Sequence, residues 1–259
     1  MKKLLVIIKR VSFKITRKLH KTFKKDSIIW HNTYLQYIPD RYFFTEKYKK
    51  YTNFLSFSDL KKWTLNNSDN NICDLSRFFF LNLCIDSLLE ENISADVAEL
   101  GVYKGNSAFL LSKYAGRVHK KCYLFDTYEG FDTKDIKGLD KDVNKAMFDD
   151  TSLEGVKQFI GPNDHTVFVK GYFPDSLKGA GELSSFCLVH IDCDLEEPFT
   201  AALQYFYPKL VKGGYLIMHD YSSLQWPGAK NAIDRFFKDK QEFVIPVPDK
   251  SGTCVIRKV

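Results

Sequence analysis

Two periods of hydrophobic positions divide this chain. Residues 96–100, Asp-Val-Ala-Glu-Leu, alternate polar and apolar in the manner of a strand, whereas 108–111, Ala-Phe-Leu-Leu, form the apolar run of a helix. Gly101 and Gly105 stand between them, and Asn106 is placed to cap the helix. The same reading gives a helix over 75–91, strands over 121–125, 166–170, 186–191 and 215–218, and helices over 152–160 and 228–238. Pro198 opens a further helix as a first-turn proline, and Gly213-Gly214 closes that region. The segments 242–247 and 253–257 pattern as a closing antiparallel pair. Strands that alternate with helices predict an α/β fold: a doubly wound, mostly parallel, seven-stranded sheet with an antiparallel closing strand, Rossmann-like in class.

The strand, glycine turn and helix start at 96–107 form the chemical focus. Glycines let backbone approach a ligand closely, and a helix N-terminus presents N–H groups to it. The spacing Glu-x-Gly-x-x-x-Gly is neither the dinucleotide fingerprint G-x-G-x-x-G nor a phosphate loop, since no Gly-Lys-Ser/Thr follows. Glu99 ends the first strand, where a carboxylate can accept from an ammonium or hydroxyls. Asp126 ends the second, 25 residues after Gly101, the position of an acid that bonds a ribose.

The polar stretch 127–164 between the second and third strands is long enough to read as an active-site lid. Acids recur at the strand ends: Glu99, Asp126, Asp192 with Asp194, and Asp220 beside His219. Sites in parallel sheets form at those carboxyl ends. Asp192, His219 and Asp220 are a candidate set for a divalent cation; carboxylates suit magnesium, and the imidazole extends the choice to manganese or another transition metal. A cation there would clamp two substrate oxygens and favour loss of a hydroxyl proton. Asp194 is the candidate general base for that proton.

Charge changes the picture at one end only. The net charge is +6, but residues 1–26 hold ten Lys/Arg against one acid, so the remaining 28 basic and 31 acidic residues give −3. This excludes a broad nucleic-acid surface on the main body. Residues 1–25 interleave cations with Leu4, Ile7, Ile8, Val11, Phe13, Ile15, Leu19 and Phe23. They read as a basic amphipathic segment for an anionic membrane surface, with a solvated tail or a helix docked on the protein as the plainer alternatives. The apolar run 4–8 is too short to span a bilayer or to serve as a signal peptide. Residues 26–74 are aromatic and weakly periodic, a cover region or subunit contact or simply core packing. The six cysteines include no C-x-x-C pair and read as reduced residues of a cytoplasmic protein, peripheral on the inner membrane face if the first segment binds lipid.

The acid before the glycines and the acid after the second strand look like the class I S-adenosylmethionine (SAM) methyltransferase pattern. More specifically, the chain resembles the macrocin O-methyltransferase family. The matching stretches are Val-Ala-Glu-Leu-Gly-Val-Tyr-Lys-Gly at 97–105, Phe-Asp-Thr-Tyr-Glu-Gly-Phe at 125–131, and Val-Lys-Gly-Tyr-Phe-Pro-Asp-Ser-Leu at 169–177. Further along are Ile-Asp-Cys-Asp-Leu at 191–195, Tyr-Pro-Lys-Leu-Val-Lys-Gly-Gly at 207–214 and His-Asp-Tyr at 219–221. They span roughly 75–240, within a methyltransferase domain read as 75–259. The resemblance implies methyl transfer from SAM to a sugar hydroxyl of a bacterial glycan or glycosylated metabolite; a homo-oligomer is expected besides. Glu99, Gly101, Tyr103, Gly105, Ser107, Asp126 and Thr127 are the expected cofactor contacts. It also implies a metal on Asp192, His219 and Asp220, with Asp194 as base. Three positions depart from the family pattern: Cys193 stands for the usual Gly, Glu196 for the usual Tyr, and His219 for the first Asp of an Asp-Asp pair. The rival readings are a nicotinamide-dependent oxidoreductase, disfavoured by the glycine spacing, and a membrane-associated scaffold that keeps the fold without turnover.

Overall fold

The computed structural model describes residues 54–71 and 74–259. The basic segment 1–25 and most of the aromatic region 26–74 therefore lie outside the described residues. The chain divides into two compact units, Met1–Phe79 and Phe80–Val259. In the first, α1 (Phe57–Asn66) starts at Ser56, whose hydroxyl accepts from the Asp59 N–H, and is followed by the short α2 (Ser68–Asn71). Trp63 meets Phe78 edge-on. The boundary between units falls within α3 (Leu75–Glu90).

The second unit alternates as the sequence pattern requires. Its elements are β1 (Asp96–Leu100), α4 (Asn106–Arg117), β2 (Cys122–Asp126), α5 (Leu153–Ile160), β3 (Thr166–Lys170) and β4 (Phe186–Ile191). They continue with α6 (Glu196–Phe206), β5 (Leu210–Met218), α7 (Pro227–Phe237), β6 (Ile245–Pro246) and β7 (Cys254–Arg257). The sheet order is β3-β2-β1-β4-β5-β7-β6. The pairs from β3 to β5 are parallel, and β7 pairs antiparallel with both β5 and β6. The order reverses between β1 and β4, so the crevice for a ligand opens beyond their carboxyl ends.

β4 is buried along its whole length, as a central parallel strand must be. The high phenylalanine content is spent here. Phe206 of α6 stacks on Phe173 at 5.6 Å and meets Phe125 and Phe186 edge-on at 5.8 and 5.4 Å. Each such ring, fully buried, contributes roughly 1.5–3 kcal/mol. They set α6 firmly against the sheet, and with it the loop that precedes α6.

Three local expectations need correction. Gly213 and Gly214 do not close the preceding region; they lie inside β5, where the register to β4 jumps from Phe186↔Leu210 to Leu188↔Tyr215. Gly213 adopts φ +78°, and a Cβ on Gly214 would press on the Val211 and Cys187 carbonyls, so the pair forms a bulge that only glycine fits. Gly105, with φ +85°, is the N-cap of α4, and Asn106 is already the first helical residue. The predicted strand 242–247 shrinks to Ile245–Pro246, because prolines at 246 and 248 supply no N–H to a ladder.

Candidate active site

At the end of β1, Glu99 is completely buried. Its Oε1 accepts from the Ser107 hydroxyl at 2.5 Å and lies 2.7 Å from His190 Nδ1, while Oε2 has no hydrogen-bond partner among the described residues. A buried carboxylate oxygen without a donor is costly in isolation, on the order of 1–3 kcal/mol, and fits a site completed by a ligand's donor. His190 faces Glu99 across the β1–β4 register. It is a member of this buried network that sequence reading did not single out, although a histidine inside an otherwise apolar strand signals a buried partner.

Gly101 has φ +87°, and a Cβ there would sit inside the Asp192 carbonyl. The glycine thus permits the ends of β1 and β4 to touch, an approach locked by the Asp192 N–H donating to the Leu100 carbonyl at 2.8 Å. Asp126 also serves this turn. Its Oδ2 accepts from the Val102 and Tyr103 N–H groups at 2.6 and 2.9 Å, and its Oδ1 from the Tyr128 N–H at 2.6 Å. Oδ2 thus has both of its acceptor sites engaged, and Oδ1 keeps one for a further donor.

Tyr103 and Thr127 hold the loops around the crevice. The Tyr103 hydroxyl donates to Asp150 at 2.7 Å, Lys104 pairs with the same carboxylate at 2.5 Å, and the Thr151 hydroxyl donates to the Tyr103 carbonyl. Hydrogen bonding by Lys104 holds the Asp150 carboxyl below its usual range. Thr127 donates to the Gly130 carbonyl at 2.7 Å and accepts from the Glu129 N–H. Phe148 meets Tyr103 and Phe131 edge-on at 5.1 and 5.5 Å, and Phe131 meets Trp226 at 5.8 Å. The long 127–151 insertion is therefore pinned to the glycine turn by charge and by aromatic contact.

The acids converge beyond β4 and β5. His219 Nδ1 lies 2.7 Å from Asp192 Oδ1 and 2.9 Å from Asp220 Oδ2. One donor atom from each of these three residues falls within 4.8 Å of the others. Asp194 and Asp220, both buried, adopt φ of 60° and 62°. Left-handed backbone at two non-glycine acids is the strain that gathers at working sites. The rings of His190 and His219 stand 6.5 Å apart, so the Glu99 network and the acid cluster are neighbours.

The family model described as macrocin-O-methyltransferase (TylF) matches residues 58–258. The chain belongs to this family.

Among its relatives, the chain is 25% identical over 160 residues to the 8-demethyl-8-(2,3-dimethoxy-alpha-L-rhamnosyl)-tetracenomycin-C 4'-O-methyltransferase of Streptomyces olivaceus, covering 57% of this chain and 61% of that protein. It is 24% identical over 175 residues to the demethyldecarbamoylnovobiocin O-methyltransferase of Streptomyces niveus, covering 62% of this chain and 65% of that protein. The chain thus spans less than two thirds of the length of either relative. Among solved structures, the O-methyltransferase NovP superposes with a TM-score of 0.61 at 22% identity, over 71% of this chain and 80% of that one. The calicheamicin methyltransferase CalS11 gives 0.52 at 20%, over 82% and 92%. These likenesses establish the Rossmann-like methyltransferase fold.

Within this macrocin O-methyltransferase family member, the departures from pattern have local roles. Burial, and then the flanking Asp194 and Asp192, push the Cys193 thiol up. Glu196 turns away toward α7, accepting from Asn231 at 2.8 Å and Arg235 at 2.9 Å. His219 brings a nitrogen donor where the family pattern has oxygen.

Proposed function

We propose that this protein transfers a methyl group from SAM to a sugar hydroxyl, on a bacterial glycan or a glycosylated metabolite. The observation that carries the reading is the contact of Gly101 with the Asp192 backbone. It sets the glycine turn, where a donor would lie, directly against the acid loop, where an acceptor hydroxyl would lose its proton. The sugar acceptor follows the name of the Streptomyces olivaceus relative, a 4'-O-methyltransferase of a rhamnosyl-tetracenomycin.

When bound, SAM supplies an electrophilic methyl on a sulfonium. Glu99 Oε2 is the acceptor offered to its ammonium, and the free acceptor site of Asp126 Oδ1 is offered to a ribose hydroxyl. Asp194 would take the acceptor's hydroxyl proton, leaving the oxygen ready for the methyl that SAM would supply. Asp192, His219 and Asp220 would hold a divalent cation, which would lower the pKa of a coordinated hydroxyl. The mixed oxygen and nitrogen donor set suits manganese or another transition ion better than magnesium.

Calorimetry with SAM, NAD and Mn²⁺, singly and combined, tests the reading. SAM is expected to bind and NAD to give no heat; the reverse would replace the methyltransferase by the oxidoreductase. Mn²⁺ binding should disappear in Asp220→Asn, and absence of Mn²⁺ and Mg²⁺ binding in the intact protein removes the metal while leaving Asp194 as base. In the same instrument, Asp126→Ala should weaken SAM by roughly 1–3 kcal/mol, since it leaves a ribose hydroxyl and the turn N–H groups without an acceptor. Unchanged SAM affinity in folded Asp126→Ala would exclude that contact.

A further inference from the structure

Both helices that follow the acid loops lack a cap of their own. α6 begins after Leu195 and α7 after Trp226, and neither residue supplies a side-chain hydrogen bond to the first turn. The missing acceptor comes from far away in sequence. Asp140, in a single 3-10 turn of the insertion at Gly138–Asp140, is almost wholly buried. Its Oδ2 accepts from the Glu196 N–H at 2.8 Å, and the carboxylate lies directly against Gly228 in the first turn of α7. Two helix N-termini thus share one carboxylate, at the favourable end of each helix dipole. The fit is close, because a Cβ on Gly228 would overlap both Asp140 oxygens. Asp140 Oδ1 has no hydrogen-bond partner among the described residues, and burial raises the carboxyl's pKa. A charge held at such cost invites a reason beyond packing.

The two helices are the ones that anchor the candidate chemistry. α6 starts two residues after Asp194, and α7 starts at the end of the loop that leaves β5 through His219 and Asp220. We propose that Asp140 is a positioning residue for the acid site: by capping α6 and packing against the first turn of α7, it fixes the Asp192–Asp194 loop relative to the His219–Asp220 loop. The inference rests on the proposed role of those acids. It gives the insertion a second anchor besides Asp150 at the glycine turn, so one segment braces both halves of the crevice.

The test uses Asp140→Ala, Asp140→Asn, Gly228→Ala and the double variant Asp140→Ala/Gly228→Ala, assayed well below each melting temperature. Asp140→Ala should lower kcat about 10- to 100-fold while the SAM Kd stays within about threefold, because the donor turn is held separately. Asp140→Asn, which keeps an oxygen acceptor, should restore most of kcat. Gly228→Ala should reproduce the kcat loss by pushing the carboxylate off α7, and should add nothing in the Asp140→Ala background. Wild-type kcat in folded Asp140→Ala or Gly228→Ala, additive losses in the double variant, or a parallel loss of SAM affinity would each overturn the proposal. If Asp140→Ala does not fold, Gly228→Ala and Asp140→Asn still decide it. Asp194→Asn is run beside them: full activity there removes the base assignment, while the pattern of Asp140 and Gly228 effects on kcat is read independently.

Discussion

Asp194→Asn is expected to bind SAM as the parent does and to lose roughly 10²–10⁴ in kcat, the usual scale of general-base catalysis. The substitution is nearly isosteric, so the buried loop and its left-handed backbone at φ 60° should persist; asparagine tolerates that conformation well. What changes is the ability to accept a proton. Single-turnover methyl transfer, followed with a large excess of enzyme, isolates the chemical step from product release. The pH profile gives a second readout: the parent's rate should fall at low pH as a carboxylate becomes protonated, and the variant should lose that limb. Retained kcat with an unchanged acid limb would assign the proton to another group, and a lost SAM affinity would mean the substitution had disturbed the crevice instead.

Gly101→Ala is expected to be the most damaging single methyl addition in the second unit. A left-handed φ of +87° costs a non-glycine residue about 1–2 kcal/mol, and here the new Cβ also meets backbone, the Asp192 carbonyl, with no side chain able to yield. A total of roughly 3–5 kcal/mol follows, in the range reserved for backbone strain and core collisions. Gly105→Ala is the control. It shares the positive φ, but its Cβ meets Val156 and Phe159 side chains at 3.1 and 3.3 Å, which can shift, so about 1–2 kcal/mol is expected. Urea denaturation of both variants decides the matter. Equal destabilisation would show that the β1–β4 contact does not govern Gly101; a stable Gly101→Ala that had lost only SAM would return the glycine to a purely ligand-facing role.

The positions of the strand-end acids were legible because each closes an apolar run, so Glu99, Asp126, Asp192 and Asp220 could be placed at one edge of a sheet from local pattern alone. Partners were not legible, because partners are set by register. Glu99 reads as a ligand contact, and that His190 stands opposite it in β4 is visible only from the pairing. Gly101 reads as making room for a ligand, and that the Asp192 carbonyl also lies against it is visible only once β1 and β4 are side by side. The bulge at Gly213 looked like a helix end for the same reason: a positive-φ glycine serves either, and only pairing with β4 chooses. Asp140 was hidden most completely. It sits among Asp132, Asp135 and Asp142 in a polar stretch, and nothing within a dozen residues distinguishes the buried Asp135 and Asp140 from the more exposed Asp132 and Asp142.

The 127–151 insertion is fastened at Asp140 to two helices and at Asp150 to the glycine turn, while residues 141–146 between these points are mostly exposed. The ends of that short span are fixed by its flanks, and lengthening such a span costs little, about 0.6 kcal/mol for each doubling. It is therefore the stretch in which added length should be tolerated most cheaply while the machinery beneath stays intact. For an engineer it is a cassette with its own clasps: a place to graft new sequence between two built-in joints.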